Sequence, residues 1–337
     1  MRTISLLLLL TCACASPKEA TPNDGKSLGA GIDAPDYIDV GPGIERAREL
    51  PIGAFLGEIG RRVQGWTRAR VSGDEEQLRL LGEVLEFECV RRQSEIIEQL
   101  ESGAPRNRAL AAVALGFARR QMKLKNDLSE EVVDRGALSL GPLLAAVADP
   151  DPKVAANALM GLGILARADT PIAPIAGVLI DSEDAASRSN AAFALTAVAK
   201  AGNDALKAGG EGLDAAQIEL GREAAIRGLS DADLGVRAQC AASLGILGNK
   251  DSVAFLGDRL DDEVDFVGQA ASIALVRLGR DQPELKGRVA RLLAGRLDLV
   301  RPTRRSTLLY ALVLLSERQM GDSSEVWQDW ARRLPAS

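Results

Sequence analysis

Along most of the chain, apolar positions follow one recurring frame. An acidic or polar turn, often with a Val-Arg pair, precedes the run small-small-x-x-Leu-small-x-aliphatic. The frame is clearest at 231–248, where Asp231, Asp233, Val236 and Arg237 lead into Cys240-Ala241, Leu244-Gly245 and Leu247. Moved back along the chain, it falls on Asp149, Asp151, Val154, Ala158-Leu159, Leu162-Gly163 and Leu165. Looser copies follow Arg108, Arg188, Val267 and Arg305. The Arg-equivalent positions 108, 155, 188, 237, 268 and 305 are 47, 33, 49, 31 and 37 residues apart, the period of a two-helix repeat. Second stretches at 142–147, 172–180, 218–229, 253–260 and 289–297 are apolar at spacings of three and four, the sign of one buried helical face. The unit predicted is helix, turn, helix.

Small residues allow paired helices to approach closely while Leu and Ile fill the space between layers. Asp181, Asp231 and Asp262 stand where the chain passes from one pair to the next, and there a carboxylate is expected to cap free N–H groups. Two wide spacings contain insertions, at 119–138 and 201–214. The second, AGNDALKAGGEGLD, reads as a surface loop, either simply tolerated or serving as a binding loop on one rim. No strand is evident in the pattern. The segment 44–103 lacks the frame but is helical in period over 52–70 and 74–101, with Ser72-Gly-Asp-Glu-Glu76 as a helix start. A solenoid's terminal repeat exposes an apolar face. This region is therefore expected to be a cap with Phe55, Trp66, Phe87 and Cys89 in its core, while Trp327 and Trp330 seal the other end.

The run 231–248 and its copies at 149–165 and 262–279 resemble the HEAT-like repeat family, in particular its short bacterial form, also known from the phycobilin lyases. The resemblance implies an all-α, right-handed α-α superhelix with an N-terminal helical cap, and for function it implies little beyond a scaffold. The expected organisation is a signal peptide at 1–15, a flexible linker at 16–44, a cap at 45–103 and an array of about six helix pairs at 104–337.

The first residues are read as a targeting segment. Arg2 precedes an apolar run of seven residues, 4–10, too short for the roughly 20 residues of a membrane span. Three processing readings stay open: a bacterial lipobox ending at Cys12, another ending at Cys14, and ordinary secretory cleavage before Ser16. The expectation is export to the cell envelope with a lipid on Cys12 or Cys14 and a membrane tether through the Pro-, Gly- and Asp-rich linker. A soluble periplasmic or secreted form is the alternative.

Composition narrows the chemistry. The 337 residues include no histidine, which removes imidazole bases, Ser/His/Asp and Cys/His pairs, and most catalytic zinc sites. Residues 126–300 carry a balance of −9 and residues 45–125 one of +3. Acidic repeats with 3% aromatic residues do not suit a phosphate backbone or base stacking, so no nucleic-acid partner is expected. The acidic run at 258–265, DRLDDEVD, lacks the ligand alternation and turn glycine of a calcium loop, and reads as an inter-repeat turn with no metal. Arg119, Arg120, Lys123 and Lys125 read as a solvated helix end, or else as a contact for an anionic partner. Cys240 stands where other copies have Ala and reads as a buried small hydrophobe.

Taken together, the sequence predicts a non-catalytic scaffold or adaptor with no cofactor, presenting a concave helix-lined surface to a protein partner. The partner's identity and the oligomeric state are left open. Two alternatives stand beside it: a lyase or chaperone of the bilin-lyase kind, which needs an apolar pocket, and an envelope glycan binder, which needs exposed Trp or Tyr on the inner helices.

Overall fold

The computed structural model describes residues 50–335 apart from 120, 127 and 128, and the side chains of 121–132 are not described. Cys12, Cys14, Arg120 and the linker lie outside the described residues. Among the described residues fifteen α-helices run in chain order, α1 Ile52–Ser72, α2 Glu75–Arg91, α3 Gln93–Ser102, α4 Pro105–Phe117, α5 Arg135–Ala146, α6 Pro152–Leu165, α7 Ile172–Asp181 and α8 Ala185–Lys207. They continue as α9 Ala215–Gly228, α10 Leu234–Leu247, α11 Ser252–Arg259, α12 Asp265–Asp281, α13 Lys286–Gly295, α14 Pro302–Ser316 and α15 Ser324–Arg332. The fold is an all-α solenoid. Helices α4, α6, α8, α10, α12 and α14 lie side by side as an inner row, and α3, α5, α7, α9, α11, α13 and α15 form the row behind it.

The inner row is where the repeat frame falls, and its composition explains its closeness. In α10 every residue from Gly235 to Gly245 is buried, because neighbours stand on both flanks and the second row behind. The contact between α4 and α6 is built on reciprocal glycines. A Cβ at Gly116 would lie 2.6 Å from the Gly161 carbonyl oxygen, and one at Gly161 would lie 2.4 Å from that of Ala112. Each fully buried Leu between the rows, such as Leu115, Leu159, Leu195, Leu244 and Leu275, contributes about 1.5–3 kcal/mol.

Helix starts follow local chemistry. Pro occupies the first turn of α4, α6 and α14, where its missing N–H costs nothing. The caps correct one expectation. At the entries to the inner helices α6, α8 and α10 the capping side chains are those of Asp151 on Lys153 N (2.8 Å), Asp184 on Ser187 N (2.8 Å) and Asp233 on Gly235 N (2.8 Å). Asp231 and Asp262 lie two residues ahead of a cap position or helix entry and do another job, described below; Asp181 ends α7.

Three further expectations change. The insertion after α4 contains a hairpin, β1 Gln121–Asn126 paired antiparallel with β2 Ser129–Asp134 in the register Met122 to Val133 and Leu124 to Glu131. The region 201–214 is loop only in its second half, since α8 continues through Lys207. Phe87 is 47% exposed, because α2 turns Leu85 and Cys89 inward and Phe87 stands on the opposite face. Phe55 and Cys89 are buried, Trp66 packs against the core, and Trp327 is buried with its ring edge-on to Trp330 at 5.7 Å.

Candidate interaction surface

The turns at one edge of the inner row hold most of the polar chemistry the sequence singled out. Arg108, Arg188 and Arg237 stand at the same frame position in α4, α8 and α10. Each donates two hydrogen bonds to an aspartate in the turn leading to the next inner helix. Arg108 reaches Asp149 at 3.0 and 2.9 Å, Arg188 reaches Asp231 at 2.6 and 3.0 Å, and Arg237 reaches Asp262 at 3.0 and 3.1 Å. The remaining nitrogen of each arginine donates to carbonyls in its own entry turn: Gly103, Ser182 with Glu183, and Asp231 with Ala232. Each aspartate also accepts a backbone N–H two residues on, from Asp151, Asp233 and Val264 respectively. Planar two-point pairing between guanidinium and carboxylate fixes orientation as well as energy. These turns are joints between successive units.

The joints differ in depth. Arg237 and Asp262 are 7% and 4% exposed, whereas Arg108 and Asp149 are 19% and 12% exposed. The Asp149 carboxyl is held below its ordinary value by Arg108 and by the Asp151 N–H. Burial pulls the Asp231 carboxyl upward, but hydrogen bonds from Arg188 and the Asp233 N–H outweigh it and leave the group lowered. Ala155 and Gly268 occupy the arginine position in α6 and α12. At Gly268 the next inner helix compensates, with Arg304 bonded to Asp265 at 2.8 Å and to the Asp262 carbonyl.

These pairings account for the acidic run at 258–265. Asp261 pairs with Arg296, Asp262 with Arg237, and Asp265 with Arg301 (2.6 Å) and Arg304. Among the described residues no group of three Cys, Asp or Glu side chains is arranged to hold a metal ion. The basic cluster is dispersed. Arg119 pairs with Glu86 at 2.5 Å and donates to the Ile164 carbonyl, while Lys123 and Lys125 lie on β1 opposite Val132 and Glu130.

A cleft of about 540 Å³ opens where the chain leaves α6, lined by Arg167, Asp169, Glu211, Gly212, Asp214 and Gln217. The glycine-rich turn after α8 forms one of its walls. Arg167 is shared between Asp134 and Asp169 at 2.7–2.8 Å. Arg167 holds the Asp169 carboxyl below its usual range, the opposite of what a general acid near neutral pH requires. Cys89 and Cys240 are fully buried, and desolvation pushes both thiols far up, which makes them inert.

The outward face of the inner row is divided. In the repeat frame, positions 266, 269, 273, 277 and 280 of α12 form the single stripe not covered by other helices: Phe266, Gln269, Ile273, Arg277 and Arg280. Moved to α14, the frame gives Thr303, Ser306, Tyr310, Leu314 and Glu317, again uncovered, with Tyr310 42% exposed. Moved to α4, α6 and α8, it gives Val113, Phe117, Met160, Ile164 and Phe193, all buried. Part of the cover comes from α1. Trp66 meets the Phe117 ring edge-on at 5.3 Å, and the Arg70 guanidinium lies 4.4 Å above the Phe193 ring and 5.5 Å from Trp66. The C-terminal end of the 21-residue α1 therefore sits on α4 and reaches Phe193 of α8 through the Arg70 side chain. No signal in the repeat pattern foretold this, because the frame is silent on where a cap helix lies.

No family model matches the chain, and no curated protein matches it. Among solved structures, an engineered protein is 16% identical, with 66% of this chain and 96% of that chain covered and a TM-score of 0.47. A computationally designed armadillo repeat protein for modular peptide recognition is 18% identical, covering 65% and 98%, with a TM-score of 0.45. Human deoxyhypusine hydroxylase is 14% identical, covering 82% and 99%, with a TM-score of 0.26. At these identities the likeness concerns the arrangement of helices alone.

Proposed function

We propose that this chain is a non-catalytic scaffold that presents the open half of its inner row to a protein partner, and that it does so in the bacterial cell envelope. Export and a lipid on Cys12 or Cys14 belong to the same proposal, supported by the leader pattern in the sequence. The observation that carries the binding surface is the uncovered stripe on α12 and its frame equivalent on α14. Ile273, half-buried, and Tyr310, exposed, occupy the frame position that is buried in the other half at Met160 and Phe193. Apolar side chains left partly open to solvent beside arginines, on a row whose remaining faces are packed, mark a contact surface. The glycan-binder alternative needs several exposed Trp or Tyr side chains on this face, and the two stripes carry one, Tyr310.

A photo-crosslinking residue placed at 273 or 310 of the full membrane-anchored chain tests the surface. The expected result is one discrete protein adduct, lost when Ile273→Glu is added to the probe at 310. Absence of any protein adduct, with a defined small molecule retained instead, would sink the scaffold reading. Mass spectrometry of the mature N-terminus tests the anchor: an acylated Cys12 or Cys14 is expected, and an unmodified terminus at Ser16 excludes it.

A further inference from the structure

The array ends at α2 in a way unlike a solvated cap. Leu80, Val84 and Phe87 are 48%, 43% and 47% exposed, at spacings of four and three, and Arg91, four further on, lies 5.3 Å from the Phe87 ring. Spacings of 4, 3 and 4 form a seam suited to a second helix. Exposed Val71 extends the seam at the N-terminal end of α2. Exposed Leu50 extends it at the other end, where its carbonyl accepts from Arg92. Charge along α2 is polar in the second sense too: Asp74, Glu75 and Glu76 crowd its start, and Arg91 closes it.

We propose that this face is occupied by a second copy of the chain, with the two α2 helices packed antiparallel about a two-fold axis near Val84. In that pairing Leu80 of one copy lies against Phe87 of the other, the Val71 end meets the Leu50 end, and Glu76 faces Arg91. The charge pattern is therefore self-complementary when antiparallel and repulsive when parallel, and the helix dipoles agree with it. Glu83, the acid nearest the axis, is already neutralised by Arg79 at 2.8 Å. One 17-residue helix is about 25 Å long. A seam on one helix belongs with small, transient interfaces and not with the roughly 800 Å² per partner of a standard one.

Sedimentation of the full mature chain between 1 and 100 μM is the test, on the order of the weak-interface range. A concentration-dependent dimer is expected. Val84→Glu should weaken it at least tenfold without changing the helical circular dichroism. Arg91→Glu alone should also weaken it, and Glu76→Arg combined with Arg91→Glu should restore it. That restoration cannot arise from misfolding. A full chain that stays monomeric at the highest concentration overturns the proposal. So does a chain that dimerises only after residues 1–49 are removed, since the covering segment is then the chain's own N-terminus. A dimer indifferent to Val84→Glu and to the charge exchange would place the interface elsewhere.

Discussion

The two halves of the inner row are built from one frame, yet one is closed and the other open. In the closed half Met160 and Phe193 are core residues; two and three helices beyond α8, Ile273 is half-buried and Tyr310 exposed at the same frame position. Buried Arg–Asp joints serve both, Arg108–Asp149 and Arg188–Asp231 in the closed half and Arg237–Asp262 at the entry to the open one. Outside the frame, Trp66 and Arg70 of α1 lie over Phe117 and Phe193 in the closed half alone. A position within a repeat fixes its direction, while its burial depends on what the rest of the chain lays over it.

If the joints are common to both halves, their cost on removal should follow depth and ignore the cover. Arg237→Ala leaves Asp262 charged in a buried turn and should destabilise by about 3–5 kcal/mol, measured by urea denaturation. Replacing the pair together by Met and Leu should recover much of that loss, because the desolvation penalty goes with the charges. Trp66→Ala removes the ring that seats α1 on Phe117 and should cost about 2–3 kcal/mol, below the range for a fully buried Trp because Trp66 is partly exposed. Hydrogen exchange should then rise in α4 and α8 and leave α12 unchanged. A uniform rise would show that α1 does not cover one half selectively.

Arg188→Ala, at the half-buried joint of the closed half, should cost about 1–2 kcal/mol, in the range of lost charge-assisted bonds. This joint and the Arg108–Asp149 one set a pH dependence. The arginines and backbone N–H groups hold Asp149 and Asp231 below the ordinary carboxylate value of 3.8, so the stability they add is complete above that value. It is lost as pH falls through their folded values. The denaturation midpoint should drop below about pH 4, and less steeply in Arg188→Ala. The smallest effect on folding belongs to Ile273→Glu, expected within about 0.5 kcal/mol for an uncovered site. Loss of partner binding by that variant, at unchanged stability, is the sharpest separation of the open half from the closed one.

The inner row was legible from the sequence because its small residues recur at helical spacing under strong steric demand. The turns were legible only in part. Paired aspartates in 149–151 and 231–233 look alike on paper, but the second is near enough to the helix start to cap it, and the first is left to meet an arginine 41 or 43 residues earlier. The hairpin escaped because Met122 and Leu124 alternate for too short a stretch to stand out within an insertion. Phe87 was misplaced because α2 is apolar on two sides. Leu85 and Cys89 face the array, while Leu80, Val84 and Phe87 form a second stripe, and periodicity alone does not say which is inside. The open surface was least legible of all, since it is defined in part by where α1 stops.

Cys89 and Cys240 place one sulfur in the end cap and one at the centre of the array, the latter wedged where a Cβ on Gly228 would lie 2.3 Å from it. Neither thiol can meet a reagent until its own surroundings part. The rate at which each acquires a label therefore becomes a clock for its own region, one timing the separation of α2 and the other the breaking of the solenoid at α10, so that fraying from the end and rupture in the middle are counted separately in one molecule.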